Sequence, residues 1–138
     1  FRSTLWTWEE ARDFCTLCLP YVNVLFGIEP YHIWKNEEDH SAGDVKDGIP
    51  FQPDFEQQEK VFRAFADRYP NIKCIARHVR FAHSCSENSL MAYLWYDGKT
   101  YESQKLRFHI LDRVGGGDAF VSGIIYALME AGWLKEIL

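Results

Sequence analysis

Apolar and polar positions along the chain fall into alternating helical and strand-like runs. Ala11, Phe14, Cys15, Cys18 and Leu19 recur at helical spacing behind Thr7-Trp8-Glu9-Glu10. That tetrad reads as a capping box with Thr7 as N-cap, and Pro20 ends the run. Val22 to Phe26 is a short apolar stretch closed by Gly27, the pattern of a buried strand. Asp54 and Gln57 offer a second capping pair, opening a helix with Val61, Phe62, Phe65, Ala66 and Tyr69 inward and Pro70 as its stop. Ile72 to Arg77 is the next strand. The order helix–strand–helix–strand predicts an α/β sheet with parallel strands.

Further on, Leu90 to Tyr96 and Lys99 to Ser103 flank Asp97-Gly98, a two-residue hairpin turn. Leu106 to Leu111 predicts a strand that feeds directly into Gly115-Gly116-Gly117. From Ala119 to Trp133 the chain is apolar nearly all round, which predicts a helix in the middle of a layered protein, capped at Gly132. The acidic, Gly- and Pro-containing stretch from Glu37 to Pro53 reads as a long, solvated surface loop.

At 138 residues the chain fits one domain, spanning 1–138. Hydrophobic residues at 47% and charged residues at 25% describe a soluble globular protein, and the net charge of −5 argues against a nucleic-acid binder. No apolar run approaches the roughly 20 residues that cross a bilayer, so no membrane role is expected. Four irregularly placed cysteines read as reduced thiols, which points to the cytoplasm. Cys15 and Cys18 fall on the apolar stripe of the first helix without a second Cys-x-x-Cys, so core packing outweighs zinc or redox chemistry. The five histidines show no metal-ligand spacing. The neighbours of His83 could place it near nucleotide, but a packing or surface role outweighs that.

Candidate chemistry concentrates at Asp112-Arg113-Val114-Gly115-Gly116-Gly117-Asp118. A strand, three glycines and a helix make an anion hole. Backbone N–H groups converge there without side-chain obstruction, and the helix dipole adds positive potential. No Lys-Ser/Thr follows, so this is not a Walker A loop. Asp118 takes that place instead, and a carboxylate beside an anion hole makes sense if it faces an attacking hydroxyl as general base. Asp112 could help hold hydrated Mg²⁺ near the phosphates. The competing explanation is structural: Asp118 as an N-cap behind a tight glycine turn.

Asp112, Gly115, Gly116, Gly117, Asp118, Ser122, Gly123, Ile124 and Ile125 together resemble the second signature of the PfkB, or ribokinase-like, sugar kinase family. Arg113-Val114 is similar to the branch that phosphorylates the sugar acid 2-dehydro-3-deoxygluconate. Phe1-Arg2-Ser3-Thr4-Leu5-Trp6 and the stretch from Arg80 to Asn88 are similar to the same branch. The resemblance implies a ribokinase-like three-layer α/β/α fold with a mostly parallel sheet. It also implies that the chain is a carboxy-terminal half lacking the β-lid.

By the same resemblance, ATP and Mg²⁺ serve a transfer to the 6-hydroxyl of the sugar acid. Gly115, Gly116 and Gly117 would hold the transferring group, Asp118 would be the base in contact with substrate, and Arg2 would bind substrate. The full-length enzyme could form a homo-oligomer. The family's metal-linked Asn-x-x-Glu is absent: Ile28-Glu29-Pro30-Tyr31 stands in its place, where Glu29 could substitute. A fructokinase- or ribokinase-type enzyme, or a fragment without catalysis, are the alternatives.

Overall fold

The computed structural model describes residues 7–27, 54–112 and 114–132. Its elements are α1 (Trp8–Cys18), β1 (Val24–Phe26), α2 (Phe55–Arg68), β2 (Cys74–Ala82), β3 (Glu87–Tyr96), β4 (Lys99–Glu102), β5 (Leu106–His109) and α3 (Gly116–Glu130).

The capping box at α1 forms as its residues dictate. Thr7 Oγ1 accepts the Glu10 N–H at 3.2 Å, and Glu10 Oε2 accepts the Thr7 N–H at 2.8 Å. After Cys18 the chain tightens into a single 3₁₀ turn, Leu19–Tyr21, that accommodates Pro20. Only the two ends of the predicted stripe are buried, at Ala11 and Leu19. Phe14 is 56% exposed and Cys18 also faces outward. The four cysteines are free thiols. At α2 the cap differs from expectation, because Asp54 occupies the N-cap position without a side-chain hydrogen bond. Burial of Val61, Phe62 and Phe65 fixes that helix instead, as the apolar spacing predicted.

The described strands form one sheet in the order β1-β2-β3-β4, with β5 also on β3. β1 and β2 are parallel, with Val24 opposite Cys74. The other three pairings are antiparallel, so the expected mostly parallel character is confined to β1 and β2. The reason is local. Asp97 and Gly98 both take positive φ, at 49° and 73°, and this two-residue turn returns the chain antiparallel at once. The long strand β3 then pairs β4 with its second half and β5 with its first. Ser103 bridges the break between them: its N–H reaches Ala92 O at 2.9 Å, and its Oγ accepts the Ala92 N–H at 2.8 Å.

Alternation along β2 and β3 sends side chains to opposite faces. Ile75, Val79, Phe81, Tyr93 and Trp95 pack with Val61, Phe62 and Phe65 of α2, and with Leu19 and Leu25. On the other face Cys74 packs with Leu128 of α3, joined by Val24, Leu94, Tyr96 and Ile124. The described chain is therefore layered α/β/α. A buried ion-dipole contact ties one helix to the sheet, where Arg77 Nη1 donates to Gln58 Oε1 at 3.0 Å.

The central position expected for the last helix is half realised. Leu128 of α3 is 2% exposed against the sheet, while Ile125, Tyr126 and Met129 are 41%, 63% and 59% exposed. Gly132 does cap this helix, with φ of 73° and its N–H on Met129 O at 3.1 Å.

Candidate functional site

The rings of His78 on β2 and Phe120 on α3 lie 4.9 Å apart. Eight residues further along α3, Leu128 packs with Cys74, four residues back along β2. Eight helical residues rise about 12 Å and four strand residues about 13 Å, so the two elements run antiparallel in near-matching register. The first turn of α3 is thereby carried toward the carboxy-terminal end of β2. There β5 also ends, and Ile110 N–H donates to Ser86 O at 2.7 Å, joining the exit of β5 to the β2–β3 turn.

Geometry of the glycine turn rests on Gly115, whose φ of +78° lies in the left-handed region. An L side chain is strained there, so this glycine is a requirement of the turn. Gly116 and Gly117 are already helical, and a Cβ on either would meet nothing within 4 Å. Their smallness keeps the space in front of the turn open. Gly115 is the N-cap of α3, without a side-chain cap hydrogen bond. The first-turn N–H groups of Gly116, Gly117 and Asp118 are thus left by the side chains for another acceptor.

Asp118 sits in the first helical turn and is exposed. The N-cap explanation for it does not hold, since Gly115 has that position. Asp112 is exposed as well, and its Oδ1 accepts the Val114 N–H at 3.0 Å. That bond folds the approach to the glycine turn, a structural task beyond the metal role expected of it. A carboxylate has further lone pairs, so the bond leaves Asp112 acceptor capacity. Among the described residues no group of three or more His, Cys, Asp or Glu side chains could hold a metal by itself. Mg²⁺ usually needs only one or two carboxylates beside phosphate oxygens and water, and Asp112 and Asp118 are both exposed carboxylates.

Two polar contacts brace the strand ends beside the turn. Arg107 on β5 grips Glu87 on β3 with a bidentate pair, at 2.9 and 2.8 Å. Its guanidinium holds the Glu87 carboxyl below the usual range, and Glu87 raises Arg107 in return. His83 Nε2 lies 2.7 Å from Ser89 Oγ, a hydroxyl of a residue only 2% exposed. The ring is therefore engaged in holding the β2–β3 turn, in line with its packing role. Neither brace was apparent in the sequence, because the partners are brought together by antiparallel register. Arg2, Glu29 and Arg113 lie outside the described residues.

No family model and no curated protein sequence matches the chain. Solved structures do. The 2-dehydro-3-deoxygluconokinase of Thermotoga maritima is similar over 95% of this chain at 26% identity and a TM-score of 0.74. A PfkB family carbohydrate kinase from Listeria grayi is similar over 95% at 24% identity and a TM-score of 0.71. A protein assigned as a 2-keto-3-deoxygluconate kinase of Enterococcus faecalis is similar over 95% at 27% identity and a TM-score of 0.67. The fold is that of these ribokinase-like carbohydrate kinases. The chain spans 36% of each, nearer a third than the expected half.

Proposed function

We propose that this chain carries the phosphoryl-transfer end of an ATP-dependent sugar-acid kinase, with 2-dehydro-3-deoxy-D-gluconate as acceptor. One observation carries the reading: an uncapped helix start at Gly115 with an exposed Asp118 in the same turn. The likeness to two structures named as kinases for this acid supports the choice of acceptor.

In this reading the N–H groups of Gly116 and Gly117 hold oxygens of the transferring γ-phosphoryl group. Asp118 orients the 6-hydroxyl and takes its proton as the new O–P bond forms and the bond to the ADP oxygen breaks. A carboxylate is a weak base for an alcohol, but the proton leaves late in a loose transition state, so orientation counts most. Mg²⁺ supplies charge neutralisation on the phosphates when bound, with Asp112 and Asp118 as the residues that would hold it through water. Arg2 pairs with the carboxylate of the acid, using its planar fork. Because the chain spans only 36% of the structures it matches, turnover requires the portion those kinases carry in addition. The chain alone binds nucleotide weakly.

A titration with MgATP followed by backbone amide resonances tests this reading. The Gly115, Gly116 and Gly117 signals should move in the millimolar range, where binding is worth about 4 kcal/mol. Unmoved glycine amides at saturating nucleotide would refute it. A fructokinase- or ribokinase-type activity is separated by offering fructose and ribose beside the sugar acid to a complete enzyme, since neither sugar has a carboxylate for Arg2.

A further inference from the structure

The sheet has a recess at the end away from the glycine turn. Where α2 ends and the Asp97-Gly98 turn begins, the chain forms a cavity of about 440 Å³, lined among others by Asp67, Pro70, Lys73, Trp95, Tyr96 and Asp97. Lys73 immediately precedes β2, and the glycine turn lies toward the other end of that nine-residue strand, about 25 Å along it. The volume falls in the range of small-molecule sites.

The charges around this cavity do not balance. Asp67 is in the last turn of α2, where the negative end of the helix dipole disfavours an acid. Asp97 is held in the turn with φ of 49°. Both are exposed, and neither forms an ion pair among the described residues. The one cation in the lining is Lys73, whose Nζ donates to Pro70 O at 2.8 Å. Arg68 is turned aside onto Tyr69, 5.6 Å from the ring centroid, and does not line the cavity. Two carboxylates and a helix carboxy-terminus against one ammonium group leave the recess negative.

Trp95 supplies an independent observation. It is only 9% exposed, and its indole Nε1 is buried without a hydrogen-bond partner. A buried indole N–H normally has an acceptor, and donation is all it can do. The rings of Trp95 and Tyr96 also offer aromatic surface of the kind that attracts ammonium groups.

We infer that this cavity binds a small organic cation that carries a hydroxyl group. Its ammonium head sits against the Trp95 and Tyr96 rings and is neutralised by Asp67 and Asp97. Its hydroxyl oxygen accepts the Trp95 Nε1–H. Phosphorylated and carboxylated compounds are disfavoured by the same two acids, so this is not a second seat for a sugar acid or a nucleotide. The inference does not depend on the kinase reading.

The test titrates the 138-residue chain with three probes and follows the Trp95 indole N–H and the Lys73, Asp97 and Gly98 amides by NMR. Choline has both the charge and the hydroxyl. Tetramethylammonium lacks the hydroxyl, and the neutral dimethylbutanol with carbon in place of the choline nitrogen lacks the charge. Choline should move these signals in the millimolar range and leave Gly115, Gly116 and Gly117 still. The neutral alcohol should bind at least about tenfold more weakly, as should choline to an Asp67→Asn/Asp97→Asn double variant. That variant keeps the fold, because Asn tolerates positive φ and losing an acid at a helix carboxy-terminus favours the helix. Trp95→Phe should lower choline to the affinity of tetramethylammonium. Unmoved signals at about 0.1 M choline, well above the millimolar range, overturn the inference. So do shifts that sodium chloride reproduces, equal binding of the neutral alcohol, or full affinity in the double variant. If Trp95→Phe fails to fold, choline against tetramethylammonium on the native chain decides the hydroxyl contact, and equal affinities overturn it.

Discussion

The ring of Phe120 rests against that of His78 at 4.9 Å, tilted by 57°, and this contact aims the glycine turn. Phe120 is two residues past Asp118 on α3, and His78 is four residues before the end of β2. Side-chain packing two residues from an exposed carboxylate holds the first turn of α3 over the strand ends. Replacing Phe120 with Ala should cost about 1–3 kcal/mol, below the roughly 3–5 kcal/mol of a fully buried aromatic because the ring is only half-buried. Thermal unfolding measures that loss. In a complete enzyme turnover should fall more steeply than stability, since a displacement near 1 Å can cost about a hundredfold.

Asp118→Asn separates chemistry from folding. The residue is exposed, and its charge near a helix start contributes no more than about 0.3–1 kcal/mol. Melting should therefore shift by a few degrees at most. In a complete enzyme turnover should drop by about a hundred- to ten-thousandfold. Near-normal phosphorylation of the sugar acid by the Asn variant would remove Asp118 from the mechanism.

The glycines of the turn should respond differently to alanine. At Gly115 the positive φ makes a Cβ strained, and Gly115→Ala should destabilise by about 1–2 kcal/mol. Gly116 is helical with open space around it, so Gly116→Ala should leave stability unchanged or slightly raised. Both should weaken MgATP binding, the second purely by obstructing the approach of phosphate. Denaturant titration beside nucleotide titration distinguishes the two effects.

Alkaline pH should loosen the sheet through Cys74 and Tyr93. Burial pushes the Cys74 thiol up from 9.0 to about 11. The Tyr93 hydroxyl is pushed from 10.0 to about 12, by burial first and by Glu102 next. Each acid keeps its proton longer in the folded state than in the unfolded one. The stability they contribute is thus fully present below pH 9 to 10 and lost as pH rises through 11 to 12. Unfolding midpoints measured from pH 8 to 11.5 should fall for the native chain and fall less for Cys74→Ala and Tyr93→Phe. Identical slopes in all three would exclude these groups as the cause.

The residues of the site and the faces of the helices were legible to different degrees. The capping box at Thr7, the Asp97-Gly98 turn and the inward face of α2 are local patterns, and the chain obeys them because the interacting groups are three or four positions apart. The stripe of α1 misled at Phe14 and Cys18, since apolar spacing alone does not say whether a sheet lies opposite. The helix start two residues ahead of Asp118 was also hidden, because glycines carry little helix propensity and only the packed turn admits them.

By itself the sequence determined the strand–glycine–helix order around Asp118, the resemblance that Asp112, Gly115–Gly117 and Asp118 carry, and the mixed α/β class. These follow from spacing and residue chemistry along a few turns of chain. Tertiary structure decided the antiparallel pairing of β3 with β2 and β5, the bracing of Glu87 by Arg107 and of Ser89 by His83, and the seating of α3 on β2 through Phe120 and His78. Those contacts join residues 6 to 42 positions apart. Their geometry depends on register and on which face each strand turns toward a helix, and neither is encoded in a local pattern.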